Sequence, residues 1–120
     1  MADLVKQNYD RWMASEKVSS EDKKALAALT AEQRDATFFK DIEFGTAGMR
    51  GHIGPGTNKM NEFTVKKACI AYGMYLLEKM PECKEMGVVI SHDNRFMSRE
   101  FTLQSAEILN KMGIKAYIFD

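Results

Sequence analysis

The sequence predicts an α/β fold, and three observations carry that prediction. Two short apolar runs, Val88-Val89-Ile90 and Ile114 to Phe119, flank a stretch of helical periodicity, which is the strand–helix–strand pattern. A long helical stripe precedes them, from Val65 to Leu76. Upstream again, glycines at Gly45, Gly48, Gly51, Gly54 and Gly56 interrupt otherwise helix-like sequence. Glycine in such density marks backbone that must turn tightly or pass close to another group.

Val5, Tyr9, Trp12 and Met13 recur at the spacing of one helical face. Ser19 or Ser20 offers an N-cap to a second short helix with Ala25, Leu26 and Leu29 as its stripe. Thr30-Ala31-Glu32-Gln33 reads as a capping box, opening a third helix that ends near Phe38-Phe39. Three helices this short cannot bury their faces alone, so they are expected to pack on residues later in the chain. A lone tryptophan on such a stripe is a packing anchor.

Ile42-Glu43-Phe44 suggests a strand entering the glycine-rich segment, and His52-Ile53 a bent segment leaving it, with a turn at Pro55-Gly56. Asn61 is placed to cap the long helix, whose inward stripe reads Val65, Ala68, Cys69, Tyr72 and Leu76, and Pro81 closes it. Gly87 to Ser91 reads as a strand buried on both faces. Ser98 is expected to N-cap the next helix, with Phe101, Ser105, Ile108, Leu109 and Met112 inward and Gly113 as its stop. The strand from Ile114 should then lie parallel to the first, joined by a right-handed crossover.

Composition sets the bounds. At 120 residues the chain is one domain or less, and a 45% hydrophobic share supports a packed core. Seventeen basic residues balance seventeen acidic ones, so no field draws nucleic acid or an anionic membrane. The nine methionines are expected to fill the core. Cys69 and Cys83 stand apart, without metal spacing, which suits a reducing compartment. With no signal-peptide pattern and no long apolar run, a soluble, cytoplasmic chain is expected.

Chemistry points to the glycine-rich segment. Thr46, Arg50, His52 and Thr57 are donors suited to an anion, and glycine-freed N–H groups beside a guanidinium fork make a phosphate cradle. The bland alternative is a tight hairpin with a solvated arginine. Lys66 and Lys67 read as surface charges. In open α/β sheets ligands gather beyond the carboxyl ends of the strands, which places His92 to Ser98 at such an end. There Arg95 either shares an anion with Arg50 and the Ser98 helix terminus, or pairs with Asp93 or Glu100 to fix its turn. Ser91-His92-Asp93 is no catalytic triad, because adjacent strand residues point to opposite faces. Asp93 lacks a second carboxylate at ligating spacing, so no metal site is expected.

Three motifs taken together narrow the reading. Phe44-Gly45-Thr46-Ala47-Gly48-Met49-Arg50-Gly51, then Gly54-Pro55-Gly56-Thr57-Asn58-Lys59-Met60-Asn61, then Val88 to Phe101 resemble the opening of the α-D-phosphohexomutase superfamily. The bacterial phosphoglucomutase/phosphomannomutase branch, related to phosphopentomutases, is the part it is most similar to. The resemblance runs from about Asp41 to Asp120. It implies a three-layer α/β/α domain with a mixed sheet, incomplete here and preceded by a helical extension over residues 1–40. It also implies transfer of a phosphoryl group between the C1 and C6 oxygens of a hexose, through a phosphoserine, a sugar 1,6-bisphosphate intermediate and Mg2+.

On this resemblance Arg50 takes the role of the arginine that contacts the phosphorylated sugar, with Thr46 and Ala47 at neighbouring loop positions. Some relatives have serine where this chain has Ala47. The phosphoserine loop, the magnesium ligands and the sugar-selecting loop are not found in these 120 residues, so no catalytic residue or metal ligand is assigned here and the chain alone is expected to be inactive. Cut within its sheet, the fragment is expected to self-associate through an open edge. Two alternatives remain: a stand-alone anion-binding or assembly module, and a phosphomannose or phosphopentose substrate.

Overall fold

Val5, Tyr9, Trp12 and Met13 do share one face of a helix, α1 (Ala2–Ala14), in a computed structural model that describes residues 2–45 and 48–119. α2 (Ser20–Ala27) is capped by Ser19, whose hydroxyl accepts from the Asp22 amide at 3.1 Å. α3 (Ala31–Phe38) carries the expected capping box. The Thr30 hydroxyl accepts from the Gln33 amide (3.2 Å), and the Gln33 side chain accepts from the Thr30 amide (2.9 Å).

The three helices enclose a core of Val5, Trp12, Val18, Leu26 and Phe38. Phe38 is fully buried, with the rings of Tyr9 and Trp12 edge-on to it at 5.8 and 6.1 Å. The requirement for a later partner is met by Phe63, whose ring meets Trp12 at 5.2 Å, although most of this core comes from the helices themselves. Buried Asn8 donates to the Phe38 carbonyl at 2.9 Å, which ties α1 to the end of α3.

The strand expected over Ile42 to Phe44 is shorter and shifted: β1 is Phe44–Gly45, and it pairs antiparallel with β2, Gly48–Met49. Further on, Ile53 makes a single bridge to Met60, supported by Met60 N–H to His52 O (2.8 Å) and Gly54 N–H to Met60 O (3.0 Å). Asn61 caps α4 (Glu62–Lys79) as expected, its side-chain oxygen accepting from the amides of Phe63 and Thr64 at 3.0 Å.

The chain divides into two units, Met1–Thr64 and Val65–Asp120, with the boundary just inside α4. The second unit holds the rest of α4, then α5 (Cys83–Met86), β3 (Val88–Ile90), α6 (Ser98–Lys111) and β4 (Ala116–Ile118). β3 and β4 are parallel, with Val88, Val89 and Ile90 opposite Ala116, Tyr117 and Ile118. This is the expected strand–helix–strand unit, and with the helices it makes the fold α/β. The described strands form two two-stranded sheets, one antiparallel and one parallel. The core comprises Cys69, Leu76, Cys83, Leu109 and Ile114, with Val88, Ile90, Ile108 and Met112 packed against it. Burial pushes the Cys69 thiol pKa up.

Tyr72 is half exposed, and Gly73 holds the buried position on α4, because Met112, at the end of α6, comes so close that a Cβ on Gly73 would lie 2.6 Å from Met112 Sδ. Val89 is 58% exposed, so β3 is not buried on both faces: its Val88 and Ile90 side faces the core and its Val89 side does not. Met97, not Ser98, takes the N-cap position of α6, in a left-handed conformation with φ 67°. Met13 and Met112 pack against cores, but Met74, Met80 and Met86 are exposed. No helix among the described residues is long and apolar enough to cross a membrane.

Candidate functional site

The glycine-rich segment is held in shape by side-chain to backbone hydrogen bonds, because its own residues offer little to bury. Thr57 is 4% exposed, and its hydroxyl donates to the Lys40 carbonyl at 2.8 Å while its own carbonyl accepts from the Ile42 amide at 2.9 Å. Asn58 binds the end of α3 through its amide to Thr37 O (3.0 Å) and its side chain to Ala36 O (3.2 Å). The Asn61 side-chain amide donates to the carbonyls of Gly54 and Gly56, both at 2.9 Å. Thr64 completes the set by donating to Lys59 O at 2.7 Å and accepting from Asn61 N at 3.0 Å. Gly56 sits at φ +129° where a Cβ would strike the Thr37 side chain and lie 3.2 Å from its carbonyl oxygen. A side chain there would break the frame.

This frame presents the β1–β2 hairpin and a cleft of about 400 Å³ beside it. The backbone of Gly45 and Gly48 forms part of the wall, and Lys40, Glu43, Arg50 and Asn58 bring polar groups to it. Gly48 takes φ +112°, a value that L side chains rarely adopt. Gly51 lies so near Ile42 that a Cβ would fall 2.8 Å from Ile42 Cδ1. Arg50, between them in the chain, is exposed, and its guanidinium makes no hydrogen bond or ion pair among the described residues. Lys40 Nζ stands 3.6 Å from Glu43 Oε2. Among the described lining residues, two cations and glycine backbone suit an anion.

The structure sorts the residues singled out from sequence. Arg50 is in the cleft. Thr46 and Ala47 lie outside the described residues. Thr57 is removed from the list of anion donors, since its hydroxyl is buried and already bonded. His52 is exposed and contributes only its carbonyl, to Met60. Lys66 and Lys67 are on the surface. Lys40 and Asn58 were missed. Nothing in their spacing marked them, because both reach the cleft through the fold of the segment rather than through the glycine motif.

In the second unit Arg95 adopts the turn-fixing arrangement. Its Nε donates to Asp93 Oδ2 at 2.6 Å, and its amide donates to Asp93 Oδ1 at 3.0 Å. The Arg95 amide, and then the guanidinium and Ser98, hold the Asp93 carboxyl below the usual carboxylate range. Ser98 accepts from the Asp93 amide at 3.2 Å, which gives its hydroxyl the work of shaping the loop. His92 Nδ1 lies 3.1 Å from the Asp93 carbonyl oxygen, not its carboxylate, so the consecutive Ser91, His92 and Asp93 form no relay.

Comparison with known proteins covers the same segment. The sequence model of phosphoglucomutase/phosphomannomutase, alpha/beta/alpha domain I, matches residues 41–120. A Staphylococcus saprophyticus protein named phosphoglucomutase is 37% identical over 91 residues, 76% of this chain and 16% of the relative. A human protein named phosphopentomutase is 31% identical over 115 residues, 91% of this chain and 19% of the relative. A Mycoplasmoides pirum protein named phosphomannomutase is 28% identical over 106 residues, 88% and 19% of the two chains. The chain thus spans less than a fifth of the length of each. No solved structure matches it.

Proposed function

The chain belongs to the phosphoglucomutase/phosphomannomutase family, and from that premise we propose that it forms the amino-terminal part of an enzyme interconverting sugar 1-phosphates and 6-phosphates. The observation that supports this most is the Arg50 guanidinium, exposed and without a partner among the described residues, beside a glycine-walled cleft. Its planar fork matches two oxygens of a phosphate monoester, and the bare backbone of Gly45 and Gly48 lets the ester approach closely. Thr46 and Ala47, neighbours of Arg50 in the sequence motif, are proposed to serve the same phosphate, and Arg95 is available to a phosphate only if it releases Asp93.

The transfer itself is ascribed to groups outside these 120 residues. A phosphoserine hands its phosphoryl group to the free hydroxyl of the sugar monophosphate, leaving free serine and a 1,6-bisphosphate. The other phosphoryl group then returns to the serine, and the isomeric monophosphate leaves. The part of Arg50 is to hold whichever phosphate is not in transit. Among the described residues no group of three His, Cys, Asp or Glu could hold a metal ion. The residues present therefore do not fit a Mg2+ site, and no step here runs through it. In the same reading the first domain is completed as a three-layer sandwich with a mixed sheet over residues 41–120 and beyond, residues 1–40 are a helical extension, and the enzyme is cytoplasmic.

Reading the gene past the codon for Asp120 and assaying the product tests this. An enzyme that converts glucose 1-phosphate, mannose 1-phosphate or ribose 1-phosphate, when the 120-residue chain does not, is the expected result. A stop codon at that point, or a longer product without mutase activity, contradicts it. The alternative is a stand-alone anion-binding or assembly module. The enzyme-fragment reading itself expects the isolated chain to self-associate through the outer edges of β3 and β4, unpaired among the described residues, where Val89, Tyr117 and Phe119 are exposed. A stable monomer in sedimentation at rising concentration speaks against it.

A further inference from the structure

We propose that Lys40 is a second anion-binding cation of the cleft and that Glu43 is its resident counter-ion, displaced when a phosphate monoester enters. This deepens the phosphate-site reading of Arg50 and rests on it. Lys40 is built into the site from its backbone outward. Its carbonyl is fixed by the buried Thr57 hydroxyl at 2.8 Å, and Ile42, two residues on, is fixed by the Thr57 carbonyl at 2.9 Å. The ammonium group lies 5.3 Å from the Phe39 ring centroid, within cation–π range, which limits where the stem can swing.

The pair with Glu43 is loose. A well-made ammonium–carboxylate hydrogen bond is about 2.7–2.9 Å long, whereas Nζ to Oε2 is 3.6 Å here. The Glu43 side chain is 72% exposed, so it can turn into water at little cost, and an exposed pair of this kind contributes little to stability. Charge makes the same point. Lys40, Arg50 and Glu43 together give the cleft one net positive charge. A phosphate monoester carries about −1.5 to −2 at neutral pH, so both cations are needed to balance it, and a carboxylate left in place would repel it. Glu43 thus gives Lys40 an anionic partner of the kind a phosphate oxygen would supply, and the exchange replaces one anion by another around Lys40.

The test is a titration of the 120-residue chain, followed by nuclear magnetic resonance, with glucose 1-phosphate and separately with inorganic phosphate. Amide spectra of each variant serve as the check that it is folded. Lys40→Met, which keeps the stem, is expected to raise Kd about tenfold, the size of one charge-assisted hydrogen bond. Glu43→Gln is expected to lower Kd about threefold, and this gain should vanish in the Lys40→Met background, since the two residues act as a pair. Unchanged affinity in both single variants, or weaker binding in Glu43→Gln, overturns the proposal. Arg50→Ala separates the two levels. If it abolishes binding while Lys40 and Glu43 are silent, the phosphate site stands and the exchange falls. If it binds like the parent, or if the parent binds neither probe, the site itself is wrong and the exchange goes with it.

Discussion

The two units hold their chain in different ways. The second is tied by a parallel strand pair and by apolar side chains from α4, α6 and both strands around Leu109 and Ile114. In the first, the helices share an aromatic core, but the glycine-rich segment beyond them has almost no ladder and few side chains to bury. Its order comes from Thr57, Asn58, Asn61 and Thr64, whose hydroxyl and amide groups occupy backbone donors and acceptors one by one. Backbone without side chains can approach a ligand closely, and fixing it needs polar tethers at its margins rather than a core beneath it.

That contrast can be broken in three places. The largest effect is expected from Phe38→Ala, which empties the centre of the first unit and should cost about 3–5 kcal/mol in urea unfolding. A cost below about 1 kcal/mol would mean the aromatic core is not what anchors the helices. Thr57→Val comes next: it keeps the shape but takes the buried hydroxyl away from the half-buried Lys40 carbonyl, for about 1–3 kcal/mol. Its signature is faster amide exchange at Ile42, and unchanged exchange there would refute the tether. Asp93 gives the smallest effect. Its folded pKa is depressed, so its contribution is complete above the ordinary aspartate range, near pH 4, and is lost as pH falls through the folded value. Asp93→Asn should flatten that acid-side loss, and an identical pH profile would show that the Arg95 contact does not matter.

Much of this was legible in the sequence because it depends on local rules. The Thr30 capping box, the Asn61 cap and the buried Trp12 follow from spacing and side-chain chemistry within a few residues, and the parallel strands around α6 from the strand–helix–strand order of the segments. What misled was periodicity read without partners. Tyr72 and Val89 sit at positions that pattern assigns to the inside, yet which face is covered depends on where α6 lies. The site was half legible. Arg50 announced itself between glycines, whereas Thr57 resembled a ligand donor and proved to be a tether. Lys40 gave no signal, since the hydrogen bond that holds its backbone comes from Thr57, 17 residues on.

The most direct test of the proposed phosphate role is a mutase assay of the full-length protein, with Arg50 replaced by alanine and by lysine. Arg50→Ala is expected to lower kcat/KM by about a hundredfold or more, as loss of a charge-assisted contact to a phosphate should. Lysine should restore only part of it, because it supplies the charge without the fork. Near-normal kinetics in Arg50→Ala would take Arg50, and with it the glycine-walled cleft, out of the catalytic cycle.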